Sequence, residues 1–263
     1  MPRPANGERK KIGALQRAFD ILNLFDAHTK ELGNTEIAQA VQLHKSTVAG
    51  LIHTLEVNGY LAQNPATRKY RLGLKLVERA AVALNQLDLR EIAQPHLRAL
   101  RDECNESVNL AIQDGAEVVY IERLFGGHAL GIRSEIGKRA ALHSTALGKA
   151  ILAWRAPKQT QEFLKNYEFE TVTPKTFTRR DQFLRELTKT RERGFAIDDE
   201  ENEIGGRCVA APVFDASGAP VAAISVSVPI QRFPANDVPR LGARVREAAR
   251  AISYQLGYLP KPF

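Results

Sequence analysis

The sequence predicts an α+β protein with two parts: a helical, basic first quarter and a longer segment of mixed strands and helices. Apolar residues recur at helical spacing along the first part, whereas strand-like alternation and an Asp-Gly turn appear after Ser107. Strands that are joined by tight antiparallel turns and accompanied by separate helices are typical of the α+β class. With 263 residues, the chain is long enough for two domains.

The positive charge is concentrated in the first part of the chain. Residues 1–75 hold 11 Lys and Arg against 6 Asp and Glu, whereas residues 76–263 hold 26 against 24. This asymmetry predicts that the first part meets a nucleic acid or another anionic surface, although a merely solvated basic face is the ordinary alternative.

Composition also limits the class of protein. No apolar run approaches the roughly 18 residues that a membrane span needs, and the opening "MPRPANGERKK" is too polar for a signal peptide. The two cysteines, Cys104 and Cys208, lie far apart and have no partners at metal-ligand spacing. We therefore expect a cytoplasmic protein that has no membrane partner, no metal site and no cofactor.

Three helices are predicted in the first part. The first covers residues 15–26, the second begins where Asn34 or Thr35 can cap it, and the third is the stretch "KSTVAGLIHTLEVNG", residues 45–59, which a C′ glycine, Gly59, stops. The predicted apolar stripe of the first helix consists of Leu15, Ala18, Phe19, Leu22 and Phe25.

A basic hairpin is predicted after the third helix. Residues 60–63 and 69–72 are strand-like, and the Asn-Pro of "NPATR" between them favours a turn. Two helices joined by a tight turn and followed by a hairpin make a winged helix-turn-helix, whose second helix enters the major groove of DNA. A three-helix subdomain that binds protein or nothing is the alternative, but basic residues at both expected contact points favour DNA.

The third helix has an apolar face and a second face of small, polar and basic residues. Side chains and backbone N–H groups in the first turn of such a helix meet phosphates and base edges. The predicted DNA-contacting residues lie on this second face, on the wing and at two earlier positions: Gln16, Arg17, Thr35, Lys45, Ser46, Thr47, Ala49, Gly50, Arg68, Lys69 and Arg71.

Three stretches of the first part, "GALQRAFDILNLF", "NTEIAQAVQLHKSTVAGLIHTLEVNGYL" and "KYRLGLKLVE", together resemble the N-terminal DNA-binding domain of the IclR family of bacterial transcriptional regulators. The resemblance implies a repressor or activator that binds a palindromic double-stranded DNA operator as a homodimer or a dimer of dimers. The family often carries Arg at the position of Gly50, so a guanine-reading Arg, the commonest specific base contact, is missing here. A glycine inside a helix also costs about 1 kcal/mol relative to alanine.

A helical segment is predicted to connect the two parts. Leu74, Val77, Ala80, Ala81 and Leu84 form one stripe of a linker helix, which suits either dimerisation or packing within its own subunit. A second helix follows, with a proline, Pro95, near its predicted start. The predicted domains are therefore residues 1–73 (winged helix-turn-helix), 74–88 (linker helix) and 89–263 (small-molecule binding).

The second part is predicted to begin with a hairpin that turns at Asp114-Gly115, followed by a strand in "ALGIRSEIGKRAAL" and a helix in "STALGKAILAW". An amphipathic helix ending at Gly194, three more strands with a turn at "DASG", and a final helix complete it. In this order the segments resemble the IclR effector-binding domain, which is similar to the GAF fold. The resemblance implies a curved antiparallel sheet that holds a small-molecule pocket.

The strand "VAAISVSVP" carries the clearest polar signal. Strand alternation puts Ser225 and Ser227 on one face, where their hydroxyls can donate to an anion, and Ser144 or Thr145 can cap the helix that offers further N–H groups. Solvent-facing serines are the ordinary alternative, as is a Cys208 that is merely a small buried hydrophobe. The resemblance implies a small organic acid as effector, with a pocket lined by Thr145, Ala146, Leu147, Asp198, Cys208, Ser225 and Ser227 and covered by Ile132.

The alternative function is a small-molecule-processing enzyme that uses the same pocket. His143, Asp198, Cys208 and Ser225 are residue types found in catalytic triads, yet no G-x-S-x-G or P-loop motif surrounds any of them. A scaffold that only dimerises would leave the basic wing unexplained. We therefore expect no catalytic residues and favour a regulator over an enzyme.

Overall fold

The computed structural model describes residues 13–26, 29–85, 88–128 and 135–259. The chain divides into two compact units, Met1–Gln86 and Leu87–Phe263. Within the described residues, no helix has both the length and the apolar character that crossing a membrane requires.

The first unit contains a helix-turn-helix and an antiparallel hairpin, as predicted. Its core is formed by Ile21, Ile37, Val48, Ile52 and Leu61, all of which are almost completely buried. The elements are α1 (Gly13–Leu22), α2 (Asn34–Ala40), α3 (Lys45–Val57), β1 (Leu61–Gln63), β2 (Tyr70–Leu72) and α4 (Lys75–Asn85).

The predicted stripe of α1 is wrong in part. The helix ends at Leu22, and its one fully buried residue is Ile21, which lay outside the predicted stripe. Leu15 and Phe19 are instead 53% and 51% exposed. Apolar residues occur on more than one side of this helix, so their spacing alone could not indicate which side meets the core.

In the first unit, the predicted C′ glycine of α3 and the predicted hairpin turn are confirmed, whereas the predicted cap of α2 is wrong. Gly59 has the left-handed φ of +76° that was expected beyond the end of α3. The turn between β1 and β2 begins at Asn64, whose side-chain oxygen accepts from the Ala66 N–H. At the start of α2, however, the cap is Gly33 rather than Asn34 or Thr35, and its N–H donates to the Glu36 carboxylate at 2.6 Å.

The second unit is built on one six-stranded antiparallel sheet in the order β5-β4-β3-β8-β7-β6, which confirms the predicted α+β class. Helix α6 packs on the face that carries Ala111, Ala196, Ala210 and Ala223, and α5 and α9 pack on the other face. The elements are α5 (Asp88–Cys104), β3 (Ser107–Asp114), β4 (Glu117–Leu124), β5 (Arg139–Ala141), α6 (Ala146–Trp154), α7 (Pro157–Phe163), α8 (Arg180–Arg193), β6 (Ala196–Asp199), β7 (Gly206–Phe214), β8 (Pro220–Pro229) and α9 (Val238–Gln255).

Glycines mark the turns of this unit where the sequence predicted them. Gly115 and Gly218 turn the two predicted hairpins, and Gly194 ends α8, each with a left-handed φ. Pro95 departs from expectation, because it lies in the interior of α5 on an exposed position rather than near the helix start. Helix α7 was not predicted, and the first half of the strand expected in "ALGIRSEIGKRAAL" lies outside the described residues.

Candidate ligand pocket and nucleic-acid interface

A row of polar side chains crosses four strands of the sheet in register. Asp198 on β6 is the partner of Cys208 on β7, Cys208 is the partner of Ser227 on β8, and Ser227 is the partner of Ser107 on β3. Residues in register share one face of a sheet. The alternation of β8 therefore brings Ser227 into line with an acid and a thiol that are distant in sequence.

A second row lies two residues along the strands. Ser225 on β8 is the register partner of Asn109 on β3. The Asn109 amide nitrogen donates to the Oγ atoms of both Ser225, at 3.2 Å, and Ser227, at 3.1 Å. The Cys208 thiol donates to Ser227 Oγ at 3.2 Å. Both serines are buried, which excludes the alternative that they face solvent.

The start of α6 forms the opposite wall of the same pocket. The Thr145 hydroxyl caps the helix, accepting from the Gly148 N–H at 3.1 Å and donating to the Ala141 carbonyl. Gly148 is required here, because a Cβ would lie 2.2 Å from the Leu142 carbonyl oxygen. The first turn of α6 thus packs closely against the connection that follows β5, with its N-terminal end at the pocket.

Asp198 is the buried acid of the pocket. Its Oδ1 accepts from the backbone N–H groups of Glu201, at 2.8 Å, and Asn202, at 3.3 Å. Burial raises the pKa of Asp198 to about 7, against the opposing influence of Lys149. A carboxyl group with a pKa this far above its usual value is readily protonated, so it can donate as well as accept a hydrogen bond.

The Cys208 thiol and the Tyr120 phenol are neutral at physiological pH. Burial raises the pKa of both groups, and the nearby Asp198 adds to the effect. A thiol attacks as the thiolate, so Cys208 has the character of a pocket wall and not that of a nucleophile.

The structure brings the described members of the predicted ligand site together around one narrow pocket with a cavity volume of about 30 Å³. Ile132, the predicted cover, lies outside the described residues. The sequence-predicted residues that line the pocket are Thr145, Ala146, Leu147, Asp198, Cys208, Ser225 and Ser227. Those that the sequence analysis missed are Tyr120, Lys138, Ala140, Asn202, Glu203 and Gly206.

His143 does not join the triad-type residues. Its two ring nitrogens bond to the Tyr167 hydroxyl and the Glu170 carbonyl, each at 2.9 Å, and burial lowers its pKa. It lines a separate cavity and not the pocket of Asp198, Cys208 and Ser225. Within the described residues, no cluster of His, Cys, Asp and Glu is arranged to hold a metal ion.

In the first unit, α3 presents the polar face that the sequence predicted. Val48, Ile52 and Leu55 are buried beneath it. A Cβ added to Gly50 would meet no heavy atom within 4 Å, so this position opens onto free space. The exposed positions of α3 include Lys45, Ser46, Thr47, Ala49 and Gly50.

The predicted basic residues of the wing differ in their surroundings. Arg68 and Arg71 are exposed, whereas Lys69 is partly covered and pairs with Glu36 on α2 at 3.1 Å. Glu31 accepts hydrogen bonds from the side chains of Asn64 and Thr67 and so attaches the turn between β1 and β2 to the loop that precedes α2. Arg17 and Thr35 are exposed, and the exposed Gln16 amide donates to Asp20.

Comparison with known proteins agrees with both units. Residues 81–254 match the family described as bacterial transcriptional regulator IclR C-terminal, and residues 14–65 match the IclR helix-turn-helix domain. The HTH-type transcriptional regulator XynR of Escherichia coli (strain K12) is 39% identical over 247 residues, which cover 94% of this chain and 98% of XynR.

Two solved structures are also similar. The Thermotoga maritima IclR structure has a TM-score of 0.81 and 35% identity, covering 94% of this chain and 99% of that one. An IclR homolog from Microbacterium hydrocarbonoxydans, solved in complex with 4-hydroxybenzoate, has a TM-score of 0.81 and 26% identity, covering 92% and 98%. The chain therefore belongs to the IclR family of DNA-binding bacterial transcriptional regulators.

Proposed function

We propose that the second unit binds a small organic acid in the pocket between α6 and the sheet, and that this effector changes the affinity of the first unit for its operator. The observation that carries the proposal is the pair of buried hydroxyls on Ser225 and Ser227, which face the N-terminal end of α6 across a narrow pocket. Hydroxyl donors beside the N-terminal end of a helix in a narrow pocket suit a carboxylate.

The charges around the pocket are consistent with an acid as ligand. A bare anion beside an ionised carboxylate would be repelled, but Asp198 has a pKa of about 7 and is readily protonated. The protonated form donates a hydrogen bond to a carboxylate, and the ionised form accepts one from a ligand hydroxyl. Ala140, Ala146 and Cys208 contribute small side chains to the pocket wall, which suits a ligand with a modest carbon skeleton.

For the first unit we propose that the start of α3 reads the major groove while the wing contacts phosphates. Lys45, Arg68 and Arg71 are exposed cations at the two expected contact points. Lys69 makes a weaker contribution in this proposal, because Glu36 already neutralises its charge. The regulator works in the bacterial cytoplasm, where its operator DNA is found.

We also propose that the protein binds its operator as a homodimer or as a dimer of dimers. Leu15 and Phe19 on α1, and Leu74 and Val77 at the start of α4, leave large apolar side chains more than half exposed within the first unit. Such residues often mark an interface between protein chains. A twofold dimer would match a palindromic operator, with half-sites about one helical turn or a multiple of it apart.

The experiment that tests the proposal is a thermal-shift screen of the full chain against small carboxylates, followed by operator binding with each acid that stabilises the protein. The operator would be selected from random DNA. We expect at least one acid to raise the melting temperature and to change operator affinity by about 5- to 150-fold, the range typical of coupled sites. A screen in which only cations or sugars stabilise the chain would overturn the proposal.

A further inference from the structure

Asn109 lies beside the pocket, on the same sheet face as Ser225 and Ser227, and bonds to both serines at once. It is 1% exposed, and its amide nitrogen is within 3.2 Å of Ser225 Oγ and 3.1 Å of Ser227 Oγ. One amide group has two N–H donors, enough to supply both serine oxygens. The register of β3 and β8 explains this geometry, because Asn109 lies opposite Ser225 and diagonal to Ser227.

We infer that Asn109 is a positioning and specificity-determining residue, which makes the two serines hydrogen-bond donors toward the ligand and so selects a carboxylate over an uncharged carboxamide. A serine hydroxyl that accepts from a neighbour keeps its own hydrogen for another partner. Ser225 and Ser227 both accept from Asn109, and Ser227 also accepts from the Cys208 thiol. Their hydroxyl hydrogens are therefore available to the pocket.

The charges of the pocket explain why this orientation matters. Among the described residues that line it, Asp198 and Glu203 are acids and Lys138 is a cation, so net positive charge does not attract an anion. Selection of a carboxylate then depends on the number of donors that point inward. If the serine hydroxyls turned toward an acceptor at position 109, their lone pairs would face the ligand, and a carboxamide N–H would be favoured instead.

The inference rests on the proposed function, and its test uses matched ligand pairs. The probes are pyruvate with pyruvamide, glycolate with glycolamide, and 4-hydroxybenzoate with 4-hydroxybenzamide, with binding to the full chain measured by calorimetry. Asn109→Leu keeps a side chain of similar size but removes both donors. It is made in the wild-type chain and in Ser225→Ala/Ser227→Ala, which completes a double-mutant cycle.

We expect Asn109→Leu to weaken binding of the preferred carboxylate about tenfold in the wild-type chain and less than twofold in the chain without the serine hydroxyls. A purely structural role of Asn109 would give the same loss in both backgrounds, and that result would overturn the inference. If neither these acids nor any carboxylate of the thermal-shift screen binds the wild-type chain, the proposed acid effector fails and the inference falls with it. If an acid binds but the double-mutant cycle shows no coupling between Asn109 and the two serines, the inference is overturned and the proposed acid effector stands.

Asn109→Asp is a second, nearly isosteric variant for the case in which the leucine disturbs folding. Its carboxylate can only accept, so the serine hydroxyls should turn toward it. We expect the ratio of carboxylate to carboxamide affinity to fall at least tenfold. Gln113→Glu, the same amide-to-acid change on the same strand but outside the pocket, should leave the ratio within twofold. An unchanged ratio in Asn109→Asp, or an equal fall in Gln113→Glu, would contradict the inference.

Discussion

The Lys149 ammonium and the Glu201 carboxylate form an ion pair with an Nζ–Oε2 distance of 2.5 Å, and the lysine side chain is completely buried. Glu201 is also one of the two residues whose backbone N–H groups bind Asp198. The pair therefore connects helix α6 to the loop that holds the acid of the pocket. Thr173 and Thr176 donate to the Glu201 carbonyl and attach the same loop from another side.

Removing the lysine alone should destabilise the second unit strongly. Lys149→Met leaves the Glu201 carboxylate buried and without its partner, which typically costs roughly 3–5 kcal/mol of unfolding free energy. Lys149→Met/Glu201→Leu should recover much of that loss, because no buried charge remains. Urea denaturation measures the free energy of unfolding of both variants.

The exposed pair Lys165–Glu162 offers the control, and Lys165→Met should leave the free energy of unfolding nearly unchanged. Equal effects of the two lysine variants would contradict the assignment.

The affinity for a carboxylate effector should depend on pH through Asp198. Its pKa is about 7, so the free pocket loses the Asp198 proton as the pH rises above that value, and an anion is then repelled. Affinity should fall by about twofold from pH 6 to 7 and then by up to about tenfold per unit above pH 7. The other ionisable side chains around Asp198 are Lys149, Glu201, Glu203, Cys208 and Tyr120.

Asp198→Asn provides the comparison for this pH dependence. The asparagine is neutral at every pH, so calorimetry between pH 6 and 9 should show an affinity that varies much less than in the wild-type chain. If the affinity of Asp198→Asn falls with pH as steeply as that of the wild-type chain, the group that titrates is not Asp198.

Replacing a single basic residue on α3 or on the wing should remove one phosphate contact from the complex with the operator. Lys45→Ala and Arg68→Ala should each weaken binding to all DNA sequences and lower the slope of log affinity against log salt by about 0.9. Lys158→Ala, which removes an exposed lysine from α7 in the second unit, is the control and should leave the slope unchanged. Slopes that stay constant in both test variants would place the DNA-binding surface elsewhere.

Gly50→Arg should change operator preference more than stability. Free space surrounds the position of a Cβ at Gly50, and arginine is a better helix former than glycine by up to about 1 kcal/mol. An arginine on this exposed position of α3 can reach guanine in the major groove. Selection from random DNA should therefore return a more guanine-dependent site for the variant. Recovery of the same site by both proteins would show that Gly50 does not lie near the bases.

Local patterns predicted part of the pocket, and the rest depends on contacts between distant strands. Ser225 and Ser227 could be assigned to one strand face because the side-chain period of a strand is two. Thr145 could be predicted as a cap from its place before α6. The bonds of Asn109 to residues more than 100 positions away follow from the pairing of β3 with β8, which the sequence alone did not show. A buried asparagine in an apolar strand was the signal that could have revealed it.

In the first unit, the buried face of α1 likewise depends on contacts with an element that is distant in sequence. Its buried face depends on where α3 lies, so Ile21 could not be distinguished from Leu15 and Phe19 by spacing. The position of α3 could be predicted because an apolar stripe and a C′ glycine agree on the same segment, although the helix ends at Val57, before the last residues of the predicted stretch.

The most direct test of the central claim is an operator-release titration with Ser225→Ala/Ser227→Ala. Loss of both hydroxyls leaves ligand oxygens without partners in a dry site, at a cost of about 1–3 kcal/mol for each. The variant should bind the operator as tightly as the wild-type chain, because the serines belong to the second unit. The acid found by the thermal screen should shift operator binding of the variant only at concentrations at least tenfold higher than for the wild type. Equal midpoints for the two proteins would contradict the account and place the effector outside this pocket.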